Sequence, residues 1–243
     1  MKDDSIGTPP TAAADLALLR LLHLSDSALP IGSIAHSFGF ETLTERNLLT
    51  VENLENFLRG YLEEAGLLEA VYGRAAHRCV ASAPAKLHVE HWLEINARLS
   101  ALKLARQSRS ASGALGQRLV LLVRAIDEIS LIDEALAAAR EAGVLIHHTT
   151  AFGLAAGALG LDEDRAVLGY LHQSVAGLVS ACQRLLPLGQ SAAARILWNV
   201  KPLMDEIAHR SESIALEDAC CFLPILDWGA MEHSALHTRL FMS

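Results

Sequence analysis

Apolar residues recur along most of the chain at three- and four-residue spacing, the period of an α-helix, and no strand-like alternation of apolar with polar positions persists beyond four residues. A first amphipathic stretch carries Leu16, Leu19, Leu22 and Leu24. It stops at Ser25-Asp26-Ser27-Ala28-Leu29-Pro30-Ile31-Gly32-Ser33, where Pro30 and Gly32 favour a turn, so a loop is expected there and a short helix over about 35–47. Thr50 then stands as N-cap before Val51, Leu54, Phe57 or Leu58, Tyr61 and Leu62, and the pattern continues from Leu67 to about Val80. After Pro84 a long helix is expected on the stripe Leu87, His91, Ile95, Leu99 and Leu102. Residues 108–116 are small and polar before Leu119, Leu122, Val123 and Ile126 restore an apolar face. Ser130 reads as the N-cap of a helix that Gly143 ends, and 151–161 is rich in the Gly and Ala that let helices approach closely. The stripe Val167, Leu171, Val175, Leu178, Cys182 and Leu185 predicts a helix broken at Pro187-Leu188-Gly189, with a further helix over about 191–211. Periodicity is lost from Leu223. The pattern predicts an all-α fold, a single compact domain of about nine or ten helices over 13–222, between an N-terminal arm (1–12) and a C-terminal tail (223–243).

Composition supports that class. Of 243 residues, 51% are apolar, 20% charged and only 5% aromatic, which excludes disorder for the chain as a whole and favours helix-on-helix packing. The net charge of −8 supplies no continuous basic face, so nucleic acid is not an expected partner. No apolar run approaches the roughly 18 to 20 residues of a membrane span, and the polar start, Met1-Lys2-Asp3-Asp4-Ser5, has no apolar signal region behind it; a cytoplasmic protein is expected. Cys79, Cys182, Cys220 and Cys221 make neither a disulfide framework nor a C-x-x-C pair, and the adjacent Cys220 and Cys221, read as helical, diverge by about 100°.

Phosphate-binding glycine loops, a G-x-S-x-G elbow and H-E-x-x-H are all missing from the sequence, so neither nucleotide hydrolysis nor the common hydrolase chemistries are expected. Three histidine groupings are candidate metal ligands: His147 with His148, His88 with His91, and His233 with His237, the last four apart as one helical face requires. Two imidazoles fill half a tetrahedral shell, and no third ligand is assignable, so no resident cofactor is expected.

Two stretches carry more turn-forming and polar residues than packing requires. In 25–41, Pro30 and Gly32 fix a turn, Ser25 or Asp26 can bond free amides, and Leu29 offers an apolar element for a partner or a second copy. In Arg239-Leu240-Phe241-Met242-Ser243, an apolar pair beside a cation suits docking on a partner. An ordinary interhelical loop and a frayed end are the plain alternatives.

The same residues carry a family resemblance. Leu24 to Ser33 with His36-Ser37-Phe38-Gly39-Phe40-Glu41 resembles the N-terminal signature of the UreF family, urease accessory protein F. Arg106 to Gly116, the segment from His148 to Gly160, Arg184-Leu185-Leu186-Pro187-Leu188-Gly189-Gln190, and His233 with the final Arg239-Leu240-Phe241 and Ser243 follow in family order. The resemblance implies a dimeric all-α adaptor without catalytic residues, which helps load nickel into apo-urease alongside the D- or H-type accessory protein and the nickel-delivering GTPase G, whose GTP hydrolysis it is proposed to regulate. It makes Ser25, Leu29, Pro30, Gly32, His36, Ser37, Gly39, Glu41, Arg239, Leu240, Phe241 and Ser243 the expected partner-binding residues. Three positions depart from the family pattern: Phe38 where many members have glycine, Ser234 where an acidic residue is common, and Met242 where a basic one often stands. An all-α regulatory or ligand-binding protein without a urease role is the alternative reading.

Overall fold

The computed structural model of the protein describes residues 10–82 and 85–243. It is 72% helical. The chain opens with α1 (Pro10–Leu24), so residues 10–12 of the expected arm are helical, and residues 1–9 lie outside the described residues. A turn with one 3₁₀ turn (Ser33–Ala35) leads to the short α2 (Phe40–Glu45), well inside the 35–47 span expected. Next come α3 (Leu54–Tyr61) and α4 (Leu67–Arg78), joined without a break through a π-helical turn at Leu62–Gly66. A two-stranded antiparallel hairpin, Val80–Ser82 with Ala85–Leu87, precedes α5 (Val89–Leu102) and is absent from the sequence expectation, being too short to show a period.

Beyond it lie α6 (Arg106–Ile126), α7 (Ser130–Ala142), α8 (His148–Ala158) and α9 (Glu163–Leu185). The last helices are α10 (Gln190–Asn199), α11 (Lys201–Ser213) and α12 (Pro224–Glu232), the last running into a 3₁₀ turn at His233–Ala235. The single helix expected over 191–211 is two, since Pro202 starts a new first turn just after Val200. The small residues 108–116 interrupt nothing and lie inside α6. Thr50 does not cap α3: Asn53 does the turning, its Oδ1 accepting from Thr50 N at 2.8 Å and its Nδ2 donating to Leu48 O at 3.0 Å.

Helix α8 sits at the centre, buried from His148 to Ala156, and its Gly and Ala residues are there for contact. A Cβ at Gly153 would overlap the carbonyl oxygen of Gly73 on α4, so the two helices touch backbone to backbone. Around α8 gathers one core cluster, with Trp92, Tyr72, Phe152, Leu115 and Ile132; a second, with Phe40, Leu54, Leu58, Leu178 and Ile207, fills the space between α2, α3 and α9 to α11. Phe38 packs against both. On α1 the expected apolar stripe is largely outward: Leu16, Leu19 and Leu22 are exposed, while Leu24 is buried. Leucines occur all round that helix, so periodicity alone did not choose its buried side. Cys220 and Cys221 lie in the coil between α11 and α12, not on a helix, so the helical-angle argument does not apply to them. No helix among the described residues is long and apolar enough to cross a membrane.

Candidate functional site

The loop after α1 is built by short polar contacts. Asp26 Oδ1 accepts from Ala28 N at 2.8 Å, Leu29 N donates to Asp26 O at 3.0 Å, and Gly32 takes φ +82°. Asp26, not Ser25, makes the expected turn contact; the Ser25 hydroxyl is buried with no partner. Pro30 is exposed, but Leu29 is only 4% exposed and belongs to the core around α8, so it cannot be the apolar contact offered to a partner. Its side chain anchors the turn instead. Two consecutive residues then adopt left-handed backbone, Phe38 at φ +51° and Gly39 at φ +94°. A left-handed non-glycine residue costs roughly 1 kcal/mol or more, a strain that glycine at position 38 would relieve. At Gly39 a Cβ would stand 2.8 Å from Ala230 N and 2.9 Å from Leu226 O, so α12 packs directly on this turn.

That conformation turns two amides toward one acceptor. Ser37 N and Phe38 N donate to Ser243 O at 2.5 and 3.2 Å, and Ser37 Oγ donates to the same oxygen at 2.9 Å. His36 Nδ1 lies 2.8 Å from Ser243 Oγ, and Met242 N donates to Ala35 O at 2.8 Å. Glu41, buried at the start of α2, gathers the rest of the tail: its carboxylate accepts from His233 Nε2 at 2.7 Å, Leu240 N at 2.6 Å and Phe241 N at 3.3 Å. A carboxylate only accepts, so the His233 proton on that side is assigned to Nε2. Phe241 is 5% exposed, with the Arg184 guanidinium 4.2 Å from its ring centroid while Arg184 Nη2 donates to Ile34 O at 2.7 Å. The two overspecified stretches are therefore one interlocked unit.

The docking corrects two expectations. Phe241 is spent inside the molecule, leaving Leu240 at 71% and Met242 at 69% exposure as the outward apolar side chains, with Arg239 exposed beside them. His233 and His237 do not share a helical face, because the chain leaves the 3₁₀ turn in extended conformation at Leu236, and His233 is taken by Glu41. No cluster of three or more His, Cys, Asp or Glu able to hold a metal occurs among the described residues.

The UreF family profile matches residues 48–201, well over half of the chain. The chain belongs to the UreF family. It is 32% identical to the "Urease accessory protein UreF" of Corynebacterium glutamicum (strain R) over 225 residues, covering 92% of this chain and 96% of that protein. Identity is 31% to the protein of the same name from Arthrobacter sp. (strain FB24), covering 96% of this chain and 100% of that one, and 29% to that of Nostoc sp. (strain PCC 7120), covering 96% and 99%.

In this UreF-family chain His147 and His148 serve the interior. His147 Nε2 lies 2.7 Å from Ser100 Oγ and Nδ1 3.1 Å from Ser112 Oγ, while His147 N and Thr150 Oγ1 both donate to Asn96 Oδ1, at 3.0 and 2.6 Å. Side chains of α5 and α6 thus satisfy the free amides at the start of α8, a cap supplied from neighbouring helices. Burial holds both His147 and His148 down at about 4, with Lys103 pushing the same way. Beside them Glu69 is held below the ordinary carboxylate range: burial pushes it up, but the Lys103 ammonium and hydrogen bonds from Lys103 and Tyr170 outweigh that. His88 and His91 are exposed. Arg184 belongs to the unit of loop and tail although the sequence expectations did not single it out; its signal is its place next to an apolar pair at a helix end.

Proposed function

We propose that this protein is a urease accessory protein acting as a non-catalytic adaptor, coupling a D- or H-type accessory protein to the nickel-delivering GTPase G as nickel is inserted into apo-urease. The observation that carries the reading is the interlock of loop 25–41 with the tail: Ser37, Phe38 and Glu41 hold the tail in one shape, so Arg239, Leu240 and Met242 stand outward on a fixed base. A partner that binds there meets a surface whose ordering cost, on the order of 1 to 2 kcal/mol per residue, has already been met in folding. Family membership supports the urease context, and nickel is the cargo in this reading, carried by the assembly without a resident site on this chain. Homodimer formation and a cytoplasmic setting belong to the same proposal, as does an influence on GTP hydrolysis by the GTPase.

Co-expression with the D/H-type protein, the G-type GTPase and apo-urease tests it. The expected result is co-purification of the accessory proteins and nickel-dependent urease activation that is lost when this chain is omitted. Full activation without it, or urea or GTP hydrolysis by the isolated protein, would overturn the adaptor reading.

A further inference from the structure

Beside the docked tail runs a second feature, a groove of about 410 Å³ lined by Arg106, Ser110, Ala114 and Arg118 of α6, with His36, Met242 and Ser243 opposite. The four α6 residues are spaced by four, forming one oblique ridge of the helix. Small side chains occupy the middle and an arginine stands at each end, their Cα atoms about 18 Å apart along the axis. No acidic side chain lines the groove, and among the described residues neither arginine makes an ion pair, in a chain whose net charge is −8. Arg118 spends one Nη1 donor on Ile31 O at 3.2 Å, leaving the rest of its fork free. His36, only 7% exposed, braces the tail side of the groove through Nδ1, 2.8 Å from Ser243 Oγ. Ser243 O accepts from Ser37 and Phe38, and among the described residues neither arginine pairs with Ser243.

We propose that this groove seats an extended acidic segment of a protein partner, with two carboxylates five or six residues apart, one on Arg106 and one on Arg118. The spacing follows from about 3.3 Å per extended residue over the length of the ridge, and each guanidinium can receive a carboxylate through two parallel hydrogen bonds. The Ser110 hydroxyl then meets the segment between its charges, and Ala114 leaves room for its backbone. Because Met242 and Ser243 form the opposite wall, the groove is complete only when the tail is docked. Identifying the partner as the D/H-type accessory protein rests on the function proposed above.

The full-length protein, captured with that accessory protein at rising salt, gives the first readout. Arg106→Glu is the informative variant, since Arg106 makes no side-chain hydrogen bond or ion pair among the described residues and its replacement should leave the melting temperature unchanged. A loss of partner affinity of tenfold or more in Arg106→Glu, a larger loss in Arg106→Glu/Arg118→Glu, a smaller loss in Arg118→Lys, which keeps the charge but not the paired hydrogen bonds, and binding in the parent protein that weakens with salt would support the proposal. Unaltered affinity in the folded Arg106→Glu protein would overturn it while leaving the adaptor function standing. If the parent protein captures no accessory protein, the functional reading fails, and a synthetic peptide with two glutamates six residues apart decides the groove by itself. Saturable fluorescence anisotropy that disappears in Arg106→Glu and in the glutamine version of the peptide supports the site; no binding to the parent protein overturns it.

Discussion

Glu41 shows how one side chain can set the behaviour of a segment 200 residues away in sequence. Its buried carboxylate is the common acceptor of an imidazole and two tail amides. Replacement by alanine strands those donors, and the expected cost is about 3 kcal/mol, the upper end of the range for leaving a buried donor without its partner. Chemical denaturation should show that loss, and hydrogen exchange should show the Leu240 and Phe241 amides deprotected ahead of global unfolding; unchanged protection would remove Glu41 from its role. His147 and His148 set a pH response. Their folded values, at about 4, lie below the ordinary 6.5, so the unfolded chain binds more protons between those limits and stability must fall as pH drops through that window. Glu69, held low in the fold, adds a loss of the same sign as it protonates. The expected fall reaches on the order of 3 kcal/mol per histidine at the acid end, measurable as a declining denaturation midpoint from pH 6.5 to 4. A flat midpoint across that range would mean that these imidazoles are not held neutral by burial.

Packing between elements depends on two absent side chains. Where α4 and α8 cross, Gly73 and Gly153 bring the backbones together, and a methyl at Gly153 has only a carbonyl oxygen and the His77 amide to displace. Gly153→Ala should cost about 3 kcal/mol or more, near the upper end for overpacking, and shift the near-ultraviolet signal of Tyr72 and Phe152. At Gly39 the left-handed backbone and the nearby α12 amide act together, so Gly39→Ala should destabilise by about 2 to 4 kcal/mol and release α12 and the tail first. Limited proteolysis checks the order, with the first cut expected after Leu223; a first cut elsewhere would refute it. The close approach at 151–161 was legible in sequence because Gly and Ala at helical spacing mean contact. The boundaries of α2 and the true cap of α3 were not, because each depends on which neighbouring group satisfies a backbone amide; the α10 to α11 break had a local signal in Pro202 that helical spacing alone does not register.

For the molecule as a whole, the tail is a structural clasp, and in the proposed function also a docking surface. Deleting 239–243 removes Phe241 from its pocket under Arg184, an apolar burial worth about 1.5 to 3 kcal/mol before the entropy regained by the freed segment. Far-ultraviolet circular dichroism should therefore be unaltered, the melting temperature a few degrees lower, and the Ser37 and Phe38 amides newly exchangeable. Capture of the D/H-type partner and urease activation should both be lost. Normal activation by the truncated protein would reduce the tail to a stabilising end.

The all-α class, most helix positions, the tight loop around Pro30 and Gly32 and the family were determined by the sequence alone, because periodicity, turn chemistry and ordered motifs are local signals. Both halves of the site, 25–41 and 239–243, were legible there as unusual stretches. Their union was not: contacts between residues some 200 positions apart leave no mark in local spacing, and an apolar pair in a tail reads alike whether it docks on its own chain or on another. Tertiary structure alone decided that Phe241 and Leu29 face inward, that His233 belongs to Glu41, and that Arg106 and Arg118 border one groove. The physical reason is that burial and partner choice follow from how helices pack on one another, and periodicity places a residue on a face without naming what that face meets.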